Sequence, residues 1–208
     1  MATTEVIIFD VDGTLLNTDE VHFQLLRSVL LKLGISINEE FYGKNGLDDS
    51  VFSVGLSEEE VDAVKEKIRK TYYSDTILPK LKLKQGALDI IQNLAGKYKL
   101  AIGSGEKKEQ IQRYLDHFKL NKFFEFIGHG QMVPMRKSNP LYFQTIADFF
   151  KVKTENCLMV GDSPHDARAS DVGCKTVIIP SRFTQYLTFD ERCHIMTSLE
   201  DLLKIKKH

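Results

Sequence analysis

Two pairs of aspartates, each leaving an apolar run, are the residues of this 208-residue chain best placed to do chemistry. Asp10 and Asp12 lie in Asp10-Val11-Asp12-Gly13-Thr14, directly after Val6-Ile7-Ile8-Phe9. In an extended chain side chains two apart point the same way, so both carboxylates project together. Carboxylates held close repel each other, and a cation or a shared proton must offset that. Mg2+, hard and oxygen-seeking, does so well. Taken alone, the stretch is equally an Asp-Gly turn in solvent. The second pair, Asp162 and Asp166, lies in Gly161-Asp162-Ser163-Pro164-His165-Asp166, after Leu158-Met159-Val160. Asp162 leaves its run where Asp10 leaves the first. If a helix begins near Ser163, Asp166 falls in its first turn and can face the same place. The plainer reading of Asp166 is a favourable position in a helix dipole.

Two further groups complete a set. Gly103-Ser104-Gly105 follows the second apolar run in chain order, Leu100-Ala101-Ile102, and precedes a helical pattern. Ser104 offers a hydroxyl, and the Gly105 region offers backbone N–H groups at a helix start, where an anion can sit. Ser104 is also a good helix cap. Lys137, in Arg136-Lys137-Ser138-Asn139-Pro140, would be a solvated lysine if it stood alone. Each member of the set lies at or just after the end of a different run.

The elements that must position these groups follow from hydrophobic pattern. Val6–Phe9, Leu100–Ile102, Phe124–Ile127, Leu158–Val160 and Thr176–Ile179 read as strands covered on both faces, being continuous rather than alternating. Helical patterns separate the later ones, Lys107–Phe118 and Leu141–Phe150 among them. Strand alternating with helix predicts an α/β fold with a parallel sheet between helical layers. In such sheets ligands bind beyond the carboxyl ends of the strands. From Thr18 to Lys82 the alternation breaks. Asp19–Leu33 carries Leu25, Val29 and Leu33 at helical spacing before Gly34, and Ser57-Glu58-Glu59-Glu60 is a capping box that opens a helix with Val61, Val64, Ile68 and Tyr72 on one face. The chain therefore divides into a core of residues 1–17 and 83–208 and a helical insertion, 18–82, over the strand ends, of the kind that shuts water out of a reaction.

Bulk properties narrow the field. With 28 basic and 29 acidic residues the net charge is −1, which gives no reason to expect nucleic acid or a membrane as partner. The basic tail Lys204, Lys206, Lys207 is short and reads as a solvated end. Cys157, Cys174 and Cys193 have no paired spacing, which fits a reducing cytoplasm, and no apolar run is long enough to span a bilayer. Oligomeric state has no signature.

These motifs resemble the haloacid dehalogenase superfamily of phosphotransferases. Four occur in the family's order over nearly the whole chain: Asp10–Thr14, Ser104, Lys137 and Gly161–Asp166. The insertion resembles the helical cap of the subgroup containing β-phosphoglucomutase and phosphoglycolate phosphatase, and Asn17–His22 is similar to that subgroup's lead into its first cap helix. The resemblance implies a Rossmann-like core and Mg2+ as cofactor. It implies that Asp10 attacks phosphorus to form an aspartyl-phosphate and that Asp12 protonates the leaving oxygen and later activates water. It further implies that Asp10, Asp162 and the Asp12 backbone carbonyl hold the metal with Asp166 direct or through water, and that Ser104, Gly105 and Lys137 hold phosphoryl oxygens. Dehalogenases of the superfamily do not pair the nucleophile with a second aspartate or use the metal, so Asp12 and Asp162 favour a small phosphate ester. The family often has Pro directly after the lysine; Ser138 stands there in this chain. Phosphomutases carry a cap arginine near the segment matching residues 42–49, which has none, so a phosphatase is expected ahead of a mutase, with Lys44 as a partial substitute. A phospho-accepting signalling module is the third reading, disfavoured by the insertion and by Asp12. His22 on the first cap helix is either a half-buried helix residue or a substrate contact.

Overall fold

The computed structural model describes residues 3–132 and 136–204. Six strands run parallel in one sheet, β1 (Val6–Phe9), β2 (Lys99–Gly103), β3 (Phe126–Gly128), β4 (Cys157–Gly161), β5 (Lys175–Ile178) and β6 (His194–Ile195), in the spatial order β3-β2-β1-β4-β5-β6. Strand order reverses beside β1, which is where a doubly wound sheet opens its ligand crevice.

The continuous apolar runs are explained by burial on both faces. Ile7, Phe9, Leu100, Ile102, Leu158 and Val160 point into one layer, against α4 (Ala87–Leu94) and α5 (Lys108–His117). Val6, Ile8, Ala101, Cys157 and Met159 point into the other, against α6 (Leu141–Phe150). The third run is shifted from its expected place: the strand is Phe126–Gly128, because Phe124 follows a short 3-10 turn and packs edge-on against Phe9, with ring centroids 6.4 Å apart.

Between β1 and β2 come α1 (Thr18–Leu31), α2 (Glu39–Phe52) and α3 (Glu58–Tyr72). They gather a separate apolar cluster of Phe23, Leu26, Val29, Leu30, Tyr42, Val51, Val61, Val64 and Ile68. Ser57 and Glu60 make the capping box of α3. α1 is shorter than its pattern suggests, and Leu33 falls beyond it, exposed, where Gly34 turns the chain at φ +76°. The chain passes into this helical layer at Asn17 and out at Lys82, and the two crossings are tied: Asn17 N–H donates to Lys82 O at 3.1 Å and Lys82 N–H to Asn17 Oδ1 at 2.7 Å.

The segment after β5 reaches across to the helical layer. Phe183 is buried among Phe23 and Tyr42, with centroids 5.2 and 5.3 Å away, and Arg182 pairs with Glu20 and Glu39. Gly43 lets α2 lie directly on the Phe183 carbonyl, where any Cβ would overlap backbone. Among the described residues no helix is long and apolar enough to cross a membrane. All three cysteines are buried free thiols. Lys204 pairs with Asp201 at 2.6 Å, while Lys206 and Lys207 lie outside the described residues.

Candidate active site

Asp10 continues the β1 ladder by one step, its N–H donating to Val160 O at 2.9 Å. Register sets Phe9 opposite Ile102 of β2 and Val160 of β4, so the ends of these three strands bring Asp10, Ser104 and Asp162 to one edge of the sheet. Asp10, Asp162 and Asp166 are all buried, and each offers an oxygen within 4.8 Å of the others'.

Asp166 lies in α7 (Pro164–Ala167) and is fully buried. Its Oδ2 accepts from Asp162 N–H at 3.1 Å, Ser163 N–H at 2.9 Å and Ser163 Oγ at 2.7 Å, which ties the turn shut. The dipole-favouring position and the turn toward Asp10 are thus one arrangement. Two glycines are required here. At Gly161 a Cβ would overlap the Asp166 carboxyl; at Gly13, with φ +75°, it would lie 2.8 Å from Asp162 Cγ.

Lys137 is the one described cation inside the cluster. It is 6 % exposed, pairs with Asp10 Oδ1, and lies 2.5 Å from Asp166 Oδ1. The Asp166 Oδ1 contact lacks hydrogen-bond alignment, so that buried oxygen has no hydrogen-bond donor. Three carboxylates gather around one ammonium, and the excess negative charge is felt by Asp10 and Asp162. Asp10 is pushed up to about 8, by burial first and by the Asp166 and Asp12 charges against the pull of Lys137. Asp162 is raised well above the carboxylate range by burial, Asp10 and Asp166. Burial is opposed for Lys137 by Asp10 and Asp166, which hold it firmly protonated.

Hard oxygen donors in excess, with a buried oxygen lacking a hydrogen-bond donor, suit a hard divalent cation such as Mg2+. Asp12 stands outside that trio. Its Oδ2 is 3.5 Å from Ser104 Oγ, its buried Oδ1 has no hydrogen-bond partner, and burial followed by Glu106 raises it to about 7. Ser104 is fully buried and its Oγ also accepts from Glu106 N–H at 3.1 Å, so capping and approach to Asp12 coexist. Gly105 is exposed in the turn that follows and does not open the helix, because α5 begins at Lys108.

His22 is half-buried on α1 and packs at a tilt against Tyr72, with ring centroids 3.9 Å apart, and burial lowers it to about 4, leaving the ring neutral. It lines a cleft of about 600 Å³ between the helical layer and the turn at Glu106. Lys44 does not line that cleft; it is exposed and pairs with Glu40 at 2.6 Å. His165, in the turn between Asp162 and Asp166, is exposed, and Met132 packs under α6. Sequence reasoning missed Glu106 and Thr184. Glu106 sits two places after Ser104, a spacing that could have flagged it. Thr184, whose Oγ donates to Asp162 Oδ2 at 3.4 Å, comes from a loop with no local signal.

Comparison with known proteins agrees with this architecture. The family profile described as haloacid dehalogenase-like hydrolase matches residues 7–179. Pyrophosphatase PpaX of Halalkalibacterium halodurans is 26 % identical over 96 % of this chain and 95 % of its own length. Phosphoglycolate phosphatase 1 of Pseudomonas aeruginosa is 23 % identical over 95 % of this chain and 78 % of its own. Among solved structures, a haloacid dehalogenase-like hydrolase from Streptococcus pneumoniae superposes with a TM-score of 0.76 at 19 % identity, covering 97 % of both chains. CbbY from Rhodobacter sphaeroides, solved with phosphate, superposes at 0.72 and 20 % identity, covering 96 % of both. With a profile match that spans the sheet from β1 to the end of β5, the chain belongs to the haloacid dehalogenase-like hydrolases.

Proposed function

We propose that this haloacid dehalogenase-like phosphatase is Mg2+-dependent and hydrolyses a small phosphomonoester through an aspartyl-phosphate on Asp10. The observation that carries the reading is the buried Asp10–Asp162–Asp166 cluster with Lys137 as its partner. Asp10, Asp162 and Asp166, with the Asp12 backbone carbonyl, would hold the ion, which supplies positive charge against the phosphoryl oxygens and the nucleophile.

Asp10 attacks phosphorus with a carboxylate oxygen while Lys137 offsets the gathering negative charge. Asp12, at about 7, gives its proton to the ester oxygen as the P–O bond breaks. Water then attacks the phosphorus of the acyl phosphate and returns a proton to Asp12, while the P–O bond to Asp10 breaks, freeing the Asp10 carboxylate and inorganic phosphate. Ser104, the Gly105 backbone and Lys137 hold the phosphoryl oxygens, donors each typically worth roughly 3 kcal/mol in such a barrier. Residues 18–82 act as a cap that excludes water and carries the leaving-group cleft, with His22 as a neutral wall. Buried free thiols suit a reducing cytoplasm.

A mutase needs a second phosphate grip in the cap. The outward Lys44–Glu40 pair and the absence of arginine in residues 42–49 count against one. The test is phosphate release from p-nitrophenyl phosphate and a metabolite panel. Release should require Mg2+, stop with chelator and stop in Asp10→Asn. Full activity in that variant would overturn the nucleophile, and isomerised sugar phosphate without free phosphate would overturn the hydrolase in favour of the mutase.

A further inference from the structure

From the placement of Glu106 we infer that it screens leaving groups by charge, admitting alcohols that carry hydroxyl or ammonium donors and rejecting those that carry a second anion. The inference rests on the phosphatase reading and deepens it.

Glu106 belongs to the turn that carries Ser104, and its backbone N–H donates to Ser104 Oγ at 3.1 Å. The same Oγ stands 3.5 Å from Asp12 Oδ2, the carboxylate assigned to the leaving oxygen. One hydroxyl thus joins the proton donor to the residue whose side chain faces the cleft. That side chain is fixed. Its Oε2 accepts from Tyr73 Oη at 3.2 Å and from Lys107 N–H at 3.3 Å, and no donor reaches Oε1 among the described residues. The charge is felt at the reaction centre, since Glu106 is the foremost charge raising Asp12.

The cationic side chains that line the cleft stand on α3, in the helical layer, and are engaged elsewhere, while Lys107, next to Glu106, holds its Nζ 5.6 Å from the centre of the Tyr73 ring. Arg69 pairs with Glu66, and Lys65 lies 3.7 Å over the Phe52 ring. His22 is neutral, and Tyr72 and Tyr73 add aromatic wall to the same cleft. A hydroxyl or ammonium on the leaving group finds a carboxylate acceptor and aromatic faces there. A carboxylate or second phosphate meets a like charge in a partly desolvated space, which costs several-fold to many-fold in binding. Inorganic pyrophosphate and phosphoglycolate both present that second anion.

The experiment measures kcat/KM for the Mg2+-loaded full chain on five substrates. Glycerol 2-phosphate represents a neutral polyol and phosphoethanolamine an ammonium; phosphoglycolate and pyrophosphate are the anionic pair, and p-nitrophenyl phosphate is the reference. Both donor-bearing esters should exceed both anionic substrates by about tenfold or more, and Glu106→Gln should narrow that ratio by about tenfold. Glu106→Lys should invert it. The ratio between glycerol 2-phosphate and phosphoethanolamine tells which donor is preferred, and a loss confined to phosphoethanolamine in Glu106→Gln assigns the ammonium. A wild-type preference for the anionic pair overturns the inference without any variant, as does a ratio that Glu106→Gln leaves unchanged. Phosphate release from p-nitrophenyl phosphate in either case shows that the phosphatase reading survives. If the wild type releases phosphate from none of the five, that reading falls and the screen falls with it.

Discussion

Removing divalent cations should make this protein less stable as pH rises from 6.5 to 8, against the usual expectation for a chain rich in paired surface charges. Asp10 moves from its ordinary 3.8 to about 8 on folding. Between those values the folded state holds a proton that the unfolded state has released, so stability falls as pH climbs, and this group's contribution is gone above the folded value. One such proton is worth about 1.4 kcal/mol per pH unit, or about 2 kcal/mol across this window. Asp12, at about 7, steepens the lower half, and Asp162, raised well above the carboxylate range, acts in the same direction. His22 works the other way: lowered from 6.5 to about 4, it adds stability as pH rises to 6.5 and nothing beyond, which is why the window starts there. Lys137, raised rather than lowered, keeps its contribution throughout. For a chain of this size about 2 kcal/mol is a drop of roughly 4–8 °C in the melting midpoint. Mg2+ at about a hundred times its Kd restores about 2.7 kcal/mol, and more at pH 8 than at 6.5 because it need not displace protons there. The assay is thermal melting in chelator and in Mg2+ at the two pH values, with Asp10→Asn alongside. A midpoint in chelator that is flat or rises with pH, or a slope that Asp10→Asn leaves intact, refutes the account of the cluster.

Three further outcomes are expected. Gly13→Ala should lower kcat by about a hundredfold or more and weaken Mg2+ binding, because a methyl there pushes the Asp162 carboxylate aside at a backbone angle of +75°; steady-state kinetics with a Mg2+ titration checks this. Phe183→Ala should cost about 3–5 kcal/mol in denaturant unfolding, since its 2 % exposed ring sits between Phe23 and Tyr42. Tyr72→Phe should cost about 1–2 kcal/mol by stranding the buried Tyr114 hydroxyl that it bonds across the two layers, read by the same unfolding curves.

Most of the sheet was legible because two-sided burial leaves an unmistakable mark: Ile7 and Phe9 serve one layer while Val6 and Ile8 serve the other. β6 was missed because His194 and Ile195 are both exposed and two residues make no pattern. α2 was missed because its stability is not written as an apolar stripe. Asn38 caps it through Phe41 N–H, and Gly46, at φ +68°, kinks it midway. The motif aspartates could be picked out from their strands, since parallel register carries neighbouring strand ends to one edge. What spacing could not tell was which carboxylates come together around Lys137. Asp12 follows Asp10 by two residues yet faces Ser104, while Asp166, from 156 positions later, shares Lys137 with Asp10. Contacts made by loops, such as Thr184 on Asp162, depend on where the chain wanders after β5 and leave no local trace.

The Phe183 plug gives the helical layer an unusual kind of freedom. Its ring belongs to the sheet side by sequence and to the α1–α3 cluster by packing. Swinging that layer clear would mean extracting an aromatic side chain from an apolar pocket, so any such opening would be a small local melting event rather than the turn of a loose hinge. Because the next residue, Thr184, touches Asp162, every such extraction also tugs on the acidic cluster. Turnover limited in this way would accelerate steeply with warming, and the centre would slacken at the moment product departs.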